Sequence, residues 1–227
     1  VEGYGVFLRG QADALLEAVE VRDTHLESEG LLGAALGVFE DSDLVGTGIT
    51  ILDTQGAAVW SDTESWITLT DLTVSRVQGP PGFLGPALLA SFATVDVTDF
   101  LIEGASGQAV VSQEVGVVVL RAGRIEGTLR VEGQALDLAV LDLSQIRAID
   151  LQLDGPQAHG AAIKAGGDLY LERATLLPSD GVGVFVQEGG RATLLTASVQ
   201  GRLGAGLGAV GENAVMAAHH VTVQGTR

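Results

Sequence analysis

One pattern limits what this chain can fold into: apolar-x-apolar-x-x-apolar-x-apolar, recurring nine times between Ala14 and Val223. Typical sets are Leu44, Gly46, Ile49, Ile51; Ile67, Leu69, Leu72, Val74; Val95, Val97, Phe100, Ile102; and Val118, Leu120, Gly123, Ile125. The last members run Val21, Ile51, Val74, Ile102, Ile125, Leu153, Leu176, Val199 and Val223, with a shortest spacing of 23 residues and occasional insertions. Period-two alternation buries one face of a strand, and the x-x step turns the chain, so each set predicts two short strands around a two-residue corner. A third strand precedes each pair, visible in AAVW (57 to 60), ALLA (87 to 90), AVVS (109 to 112) and AAIK (161 to 164). A fixed period of this length is the mark of a solenoid.

Three short strands per unit, with glycine after the third in IEG (102 to 104), IEG (125 to 127) and LDG (153 to 155), resemble the right-handed parallel β-helix of the pectate-lyase-like superfamily. The resemblance covers almost the whole chain. It implies an all-β solenoid of about nine coils over residues 1–227, read as a single domain and as a fragment of a longer chain. With coils ~4.8 Å apart, nine would form a rod about 43 Å long, with open sheet edges at both ends for another domain or chain to contact. The architecture alone transfers no catalytic residue.

Composition bounds the partners. Only ten Phe, Trp and Tyr residues are present, so the core is filled by small aliphatics at many regular positions. A net charge of −17 with Lys164 as the sole lysine leaves no basic surface for nucleic acid. No apolar run reaches membrane-spanning length, which argues against membrane insertion. The absence of cysteine excludes thiolate metal sites and disulfide staples.

Insertions fall at one corner, between the third strand and the next first strand, at 22 to 30, 76 to 85, 126 to 134 and 154 to 160. In the resembled superfamily that edge borders the face that binds polysaccharide, where such loops could wall a groove.

The stretch VDVTDFLIEG (95 to 104) places three carboxylates among aliphatic residues. Alternation sends them to separate columns: Asp96 outward, Asp99 to the corner beside Asp71 of the preceding unit, and Glu103 to a column continued by Glu126 and Asp154. Two like charges ~4.8 Å apart repel by about 0.9 kcal/mol in water. Such neighbours must stay solvated or share a cation, so Asp71, Asp99, Glu103 and Glu126 are the candidate ligands of a Ca²⁺ held between coils. The sequence favours the solvated row and requires no other cofactor.

Residues 156 to 173 gather His159, Lys164, Tyr170 and Arg173, the types a polysaccharide lyase needs as base and enolate-stabilising cation. The same stretch resembles the histidine-glycine and isoleucine-lysine elements of the polygalacturonase pattern, but the aspartate motifs of that pattern are absent. His219 and His220 fill the corner of the last unit, and with His25 far off they form no ligand set. Trp60 and Trp66 are expected to face outward, where an indole can stack on a sugar ring; the insertion around Phe83 is an alternative cover for Trp60.

The expected function is a non-catalytic module of a secreted or cell-surface bacterial protein, in contact with polysaccharide or another protein. The alternative is a polysaccharide lyase, glycoside hydrolase or epimerase using the first-strand groove. Convergence of His159, Lys164 and Tyr170 on one pocket would favour the enzyme.

Overall fold

The structure is a computed structural model that describes residues 3–25, 33–79, 84–131, 133, 135–155, 159–177, 180–200 and 204–225. Every regular element among them is a β-strand. The strands stack into two long parallel sheets. One runs through Tyr4–Arg9, Ala34–Phe39, Ala57–Asp62, Leu88–Ser91, Gln108–Gln113, Leu136–Val140, His159–Ile163, Val184–Gln187 and Leu207–Val210 in that order. The other runs through Asp13–Glu17, Asp43–Gln55, Trp66–Gln78, Thr94–Glu103, Val117–Glu126, Gln145–Asp154, Asp168–Glu172, Arg191–Leu195 and Val215–His219. Neighbouring strands in both sheets are parallel, so each strand hydrogen-bonds to its counterpart one repeat away, as in a β-solenoid.

The apolar sets read from the sequence supply the interior. Ile67, Leu69, Leu72 and Val74 pair in register with Val95, Val97, Phe100 and Ile102, and these with Val118, Leu120, Gly123 and Ile125. Apart from the half-buried Gly123, these side chains are buried. Gly123 has a packing reason: a Cβ there would collide with the Phe100 ring of the preceding repeat, which occupies its space. In the outermost repeats Leu16, Val19, Met216 and Val221 are only partly buried, because each has a neighbouring repeat on one side alone.

The predicted two-residue corner is a bend inside a continuous strand in Asp43–Gln55, Trp66–Gln78, Thr94–Glu103, Val117–Glu126 and Gln145–Asp154, and separates two short strands in the other four repeats. Its second residue takes positive φ in every repeat: Ala18, Gly48, Asp71, Asp99, Ala122, Asp150, Arg173, Thr196 and His220. This left-handed conformation re-aims the chain without breaking the ladder. Aspartate tolerates it better than most residues, since its short side chain can bond to nearby backbone. A second such column follows the third strand, in Asp23, Asp53, Arg76, Gly104 and Gly127, which is why glycine recurs at that place.

A third corner, where the chain leaves the first sheet for the second, was not legible beforehand. Glu114–Val115, Asp142–Leu143, Ala165–Gly166 and Glu188–Gly189 are each pairs of positive-φ residues. Each is closed by a bond from the amide of the following residue to the carbonyl of the preceding one, as in Gly116 N to Gln113 O at 2.8 Å and Gly190 N to Gln187 O at 2.9 Å. These are the positive-φ pairs of mirror-image type I′ turns, stacked one above the other.

Candidate functional site

The lyase-like cluster is divided between the two sheets. His159 opens a first-sheet strand and accepts a 2.8 Å hydrogen bond at Nδ1 from the Val182 amide of the next repeat, so this nitrogen carries no proton and the ring anchors backbone. Lys164 lies past the far end of the same strand, about 16 Å along at the usual rise per residue. Tyr170 sits on the second sheet, under the Arg147 guanidinium 5.2 Å from its ring centre, and its hydroxyl donates to Glu172 at 2.9 Å. That bond, then burial, raises the phenol above its ordinary value. Arg173 occupies a positive-φ corner and grips Asp150 through two nitrogens at 2.7 and 3.0 Å. The bond with Asp150 lowers the carboxyl and raises the guanidinium. The four side chains do not converge on one pocket.

The acids lie in the columns expected from the sequence. Asp71 and Asp99 are exposed at the same corner one repeat apart, and both take positive φ. Glu103, Glu126 and Asp154 pair in register on successive strands. Ser75 donates to Glu103 at 3.0 Å, and Arg124 bridges Glu126 at 2.6 Å and Asp154 at 2.9 Å. Partial burial, followed by a hydrogen bond with Glu103, pushes the Glu126 carboxyl above its ordinary value. Among the described residues no group of three or more histidine and carboxylate side chains is arranged to hold a metal ion.

Asp96 does more than alternation suggested: it faces outward and ion-pairs with Arg121 of the next repeat. The same step of one repeat separates Arg9 from Glu40, Arg76 from Asp53, Arg124 from Asp154 and Arg173 from Asp150. A spacing of 23 to 31 residues between opposite charges was the available signal.

Trp60 and Trp66 stand on different sheets. Trp66 is 53% exposed at the start of a second-sheet strand. Trp60 faces outward from the first sheet, paired with Gly37 and Leu89, with its ring edge-on to Phe39 at 5.1 Å. Phe39 continues to Phe7 at 5.5 Å and Tyr4 at 5.9 Å, so four aromatic rings cluster outside the first three strands of this sheet. The rings fit because Gly37 lacks a side chain: a Cβ there would lie 2.7 Å from Tyr4 and 2.8 Å from Phe39. Two clefts flank the Phe39–Trp60 pair. One, about 210 Å³, is lined by Tyr4, Phe7, Arg9, Phe39, Glu40 and Thr63; the other, about 160 Å³, includes Trp60, Leu84, Leu89, Gln108, Val111 and Gln113. Phe83, the expected cover for Trp60, lies outside the described residues, as do parts of the insertions.

No family model matches the chain, and no curated protein matches it. Among solved structures it is similar to a TibC-catalysed hyper-glycosylated fragment of TibA, at 13% identity over 99% of both chains with a TM-score of 0.19. No helix long and apolar enough to cross a membrane occurs among the described residues.

Proposed function

We propose that this chain is a non-catalytic β-helical module of a secreted or cell-surface protein, a rigid segment for adhesion, carbohydrate contact or assembly. In this reading it is a right-handed β-helix of about nine coils with three short strands each. The observation that supports it is the use made of the charged side chains. Arg9, Arg76, Arg121, Arg124 and Arg173 each bond to a carboxylate one repeat away, so groups that a catalyst would converge on substrate instead tie neighbouring repeats together. The register of the parallel stack is held by its ladder hydrogen bonds and buried apolar columns, which suits a spacer or presenting surface.

The partly covered inward residues at the two ends, Val6, Leu8 and Leu16 at one and Leu207, Met216 and Val221 at the other, also suit stacking against a further domain or chain. The test is turnover: incubate the protein with a panel of neutral and uronic-acid polysaccharides, and follow both reducing ends and the ultraviolet absorbance of unsaturated uronates. Neither signal should rise above buffer. Release of either product that is abolished by changing His159, Lys164 or Tyr170 would replace this reading with the lyase or hydrolase one.

A further inference from the structure

We propose that the aromatic track on the outer face of the first sheet binds a neutral saccharide chain, with the Tyr4–Phe7–Phe39 cleft as its anchoring subsite. The proposal rests on reading the chain as a non-catalytic module and gives that module a ligand class.

The placement of the rings argues for a binding role. Four of the ten aromatic side chains in the protein lie together on the outside of three adjacent strands, where the solenoid interior gains nothing from them. Phe7 keeps 48% of its surface exposed at the open end of the track. Phe7, Gly37 and Trp60 occupy one column in register, and the next residues of that column, Leu89 and Val111, are buried. The open part is therefore the Tyr4–Phe7–Phe39 end with Trp60 beside it, a length that suits a few sugar rings.

The polar groups decide which polymer. The anchoring cleft adds to its rings the Arg9 and Glu40 side chains, ion-paired at 2.6 Å yet largely open to solvent, and Thr63. The second cleft adds Gln108 and Gln113. Each cleft therefore combines an apolar wall with hydrogen-bonding groups. A pyranose matches this combination, having one face of C–H groups for stacking and a rim of hydroxyls that both donate and accept. Charge complementarity excludes an anionic chain: the protein carries −17 overall, and the one cation of the anchoring cleft is already paired with Glu40. An apolar peptide would leave the glutamine amides of the second cleft without hydrogen-bonding groups to meet.

Trp66→Phe leaves Trp60 as the sole tryptophan and hence as a local reporter. Titrating that variant with cellohexaose, maltohexaose and xylohexaose should give a saturable change in emission for at least one of them, with hexagalacturonate inactive. Adding Phe7→Ala, at a half-exposed ring, should weaken that binding about tenfold in a variant whose circular dichroism shows it folded at the titration temperature. The proposal is overturned if no neutral hexasaccharide changes the emission up to ~10 mM, if hexagalacturonate binds best, or if Phe7→Ala leaves affinity unchanged. It is equally overturned if Phe7→Ala abolishes a concentration-dependent rise in sedimentation coefficient, since the track would then be covered by a second copy of the chain. Product release in the turnover assay would sink the non-catalytic reading without touching the track; absence of binding with absence of turnover would sink the track alone.

Discussion

The two sheets share one backbone plan and one interior, yet their outer faces are built from different chemistry. Outside the first sheet a single column reads Phe7, Gly37, Trp60, Leu89, Val111, Ala139, Ala162, Phe185, Gly208, with no charge at any of nine strands. Leu89, Val111 and Ala139 in it are buried in a small cluster of their own. Outside the second sheet the matching columns hold Asp96 paired with Arg121, Arg147 over Tyr170, and runs of threonine. Interior positions are constrained by the repeats above and below, so they vary only in size. Outer positions answer to solvent or to whatever covers them, and the two outer faces differ in this: the middle of the first-sheet column is covered within the chain itself, while the second-sheet face carries charges and hydroxyls.

The most direct way to break this comparison is to place a charge on each face. Leu89→Asp puts an unpaired carboxylate among Trp60, Val111 and Ala139 and should cost about 3–5 kcal/mol, the penalty of an uncompensated buried charge. Thr193→Asp, on the half-exposed outside of the second sheet, should stay within about 0.5 kcal/mol. Urea unfolding followed by far-ultraviolet circular dichroism measures both. Equal costs would mean that the first-sheet face is as open to water as the second.

A smaller effect, of opposite sign, belongs to the turn that carries the chain between the faces. Val115 holds φ of 67° with 57% of its surface exposed, a position where a β-branched residue is strained and contributes no packing. The left-handed conformation costs ~1–2 kcal/mol, and glycine returns ~0.5–1 kcal/mol of that through chain entropy. Val115→Gly should thus raise stability by up to about 1 kcal/mol in the same unfolding experiment.

That asymmetry between the faces also explains what the sequence made legible. The second sheet and third strands alternate strictly, so sets such as Leu169, Leu171, Ala174, Leu176 identified the interior residue by residue. The central first-sheet strands are covered on both sides. AALGVF and AVVS read as unbroken apolar runs that name a strand without saying which side faces out, so the Phe7–Trp60 track could not be seen beforehand. Trp60 was picked out as outward-facing, but its aromatic neighbours come from residues 21 to 56 positions away and follow no period. For the charged residues, column assignment placed Asp71, Asp99, Glu103 and Glu126 where the structure has them. Column assignment left out the one-repeat spacing that pairs Asp53, Asp96, Asp150 and Asp154 with arginines of the neighbouring repeat.

The acid column sharpens the comparison through pH. Glu126 has its carboxyl raised in the folded protein by burial and by Glu103, so the stability tied to its protonated form is fully present below the ordinary value of 4.5 and is lost as pH rises through the elevated one. Glu126→Gln keeps a neutral donor toward Glu103 at every pH. Its melting midpoint should match the parent near pH 4 and exceed it near neutrality, whereas a parallel pair of curves would show that Glu126 is not held above its ordinary value.

The smallest effect should come from the pair that Arg173, grouped by the sequence with His159, Lys164 and Tyr170, makes with Asp150. Arg173 and Asp150 meet through two hydrogen bonds one repeat apart, but both are about half exposed, where solvent screens the attraction and two long side chains must be ordered to hold it. If the pair only staples repeats, a double-mutant cycle of Arg173→Ala and Asp150→Ala in urea should give a coupling near the limit of detection that fades further toward ~1 M salt. A saccharide titration should be indifferent to either substitution, because neither residue lines the aromatic track on the other sheet. Should Arg173→Ala weaken saccharide binding while Phe7→Ala does not, the presenting face would be the second sheet, and the contrast drawn between the two outer surfaces would have to be reversed.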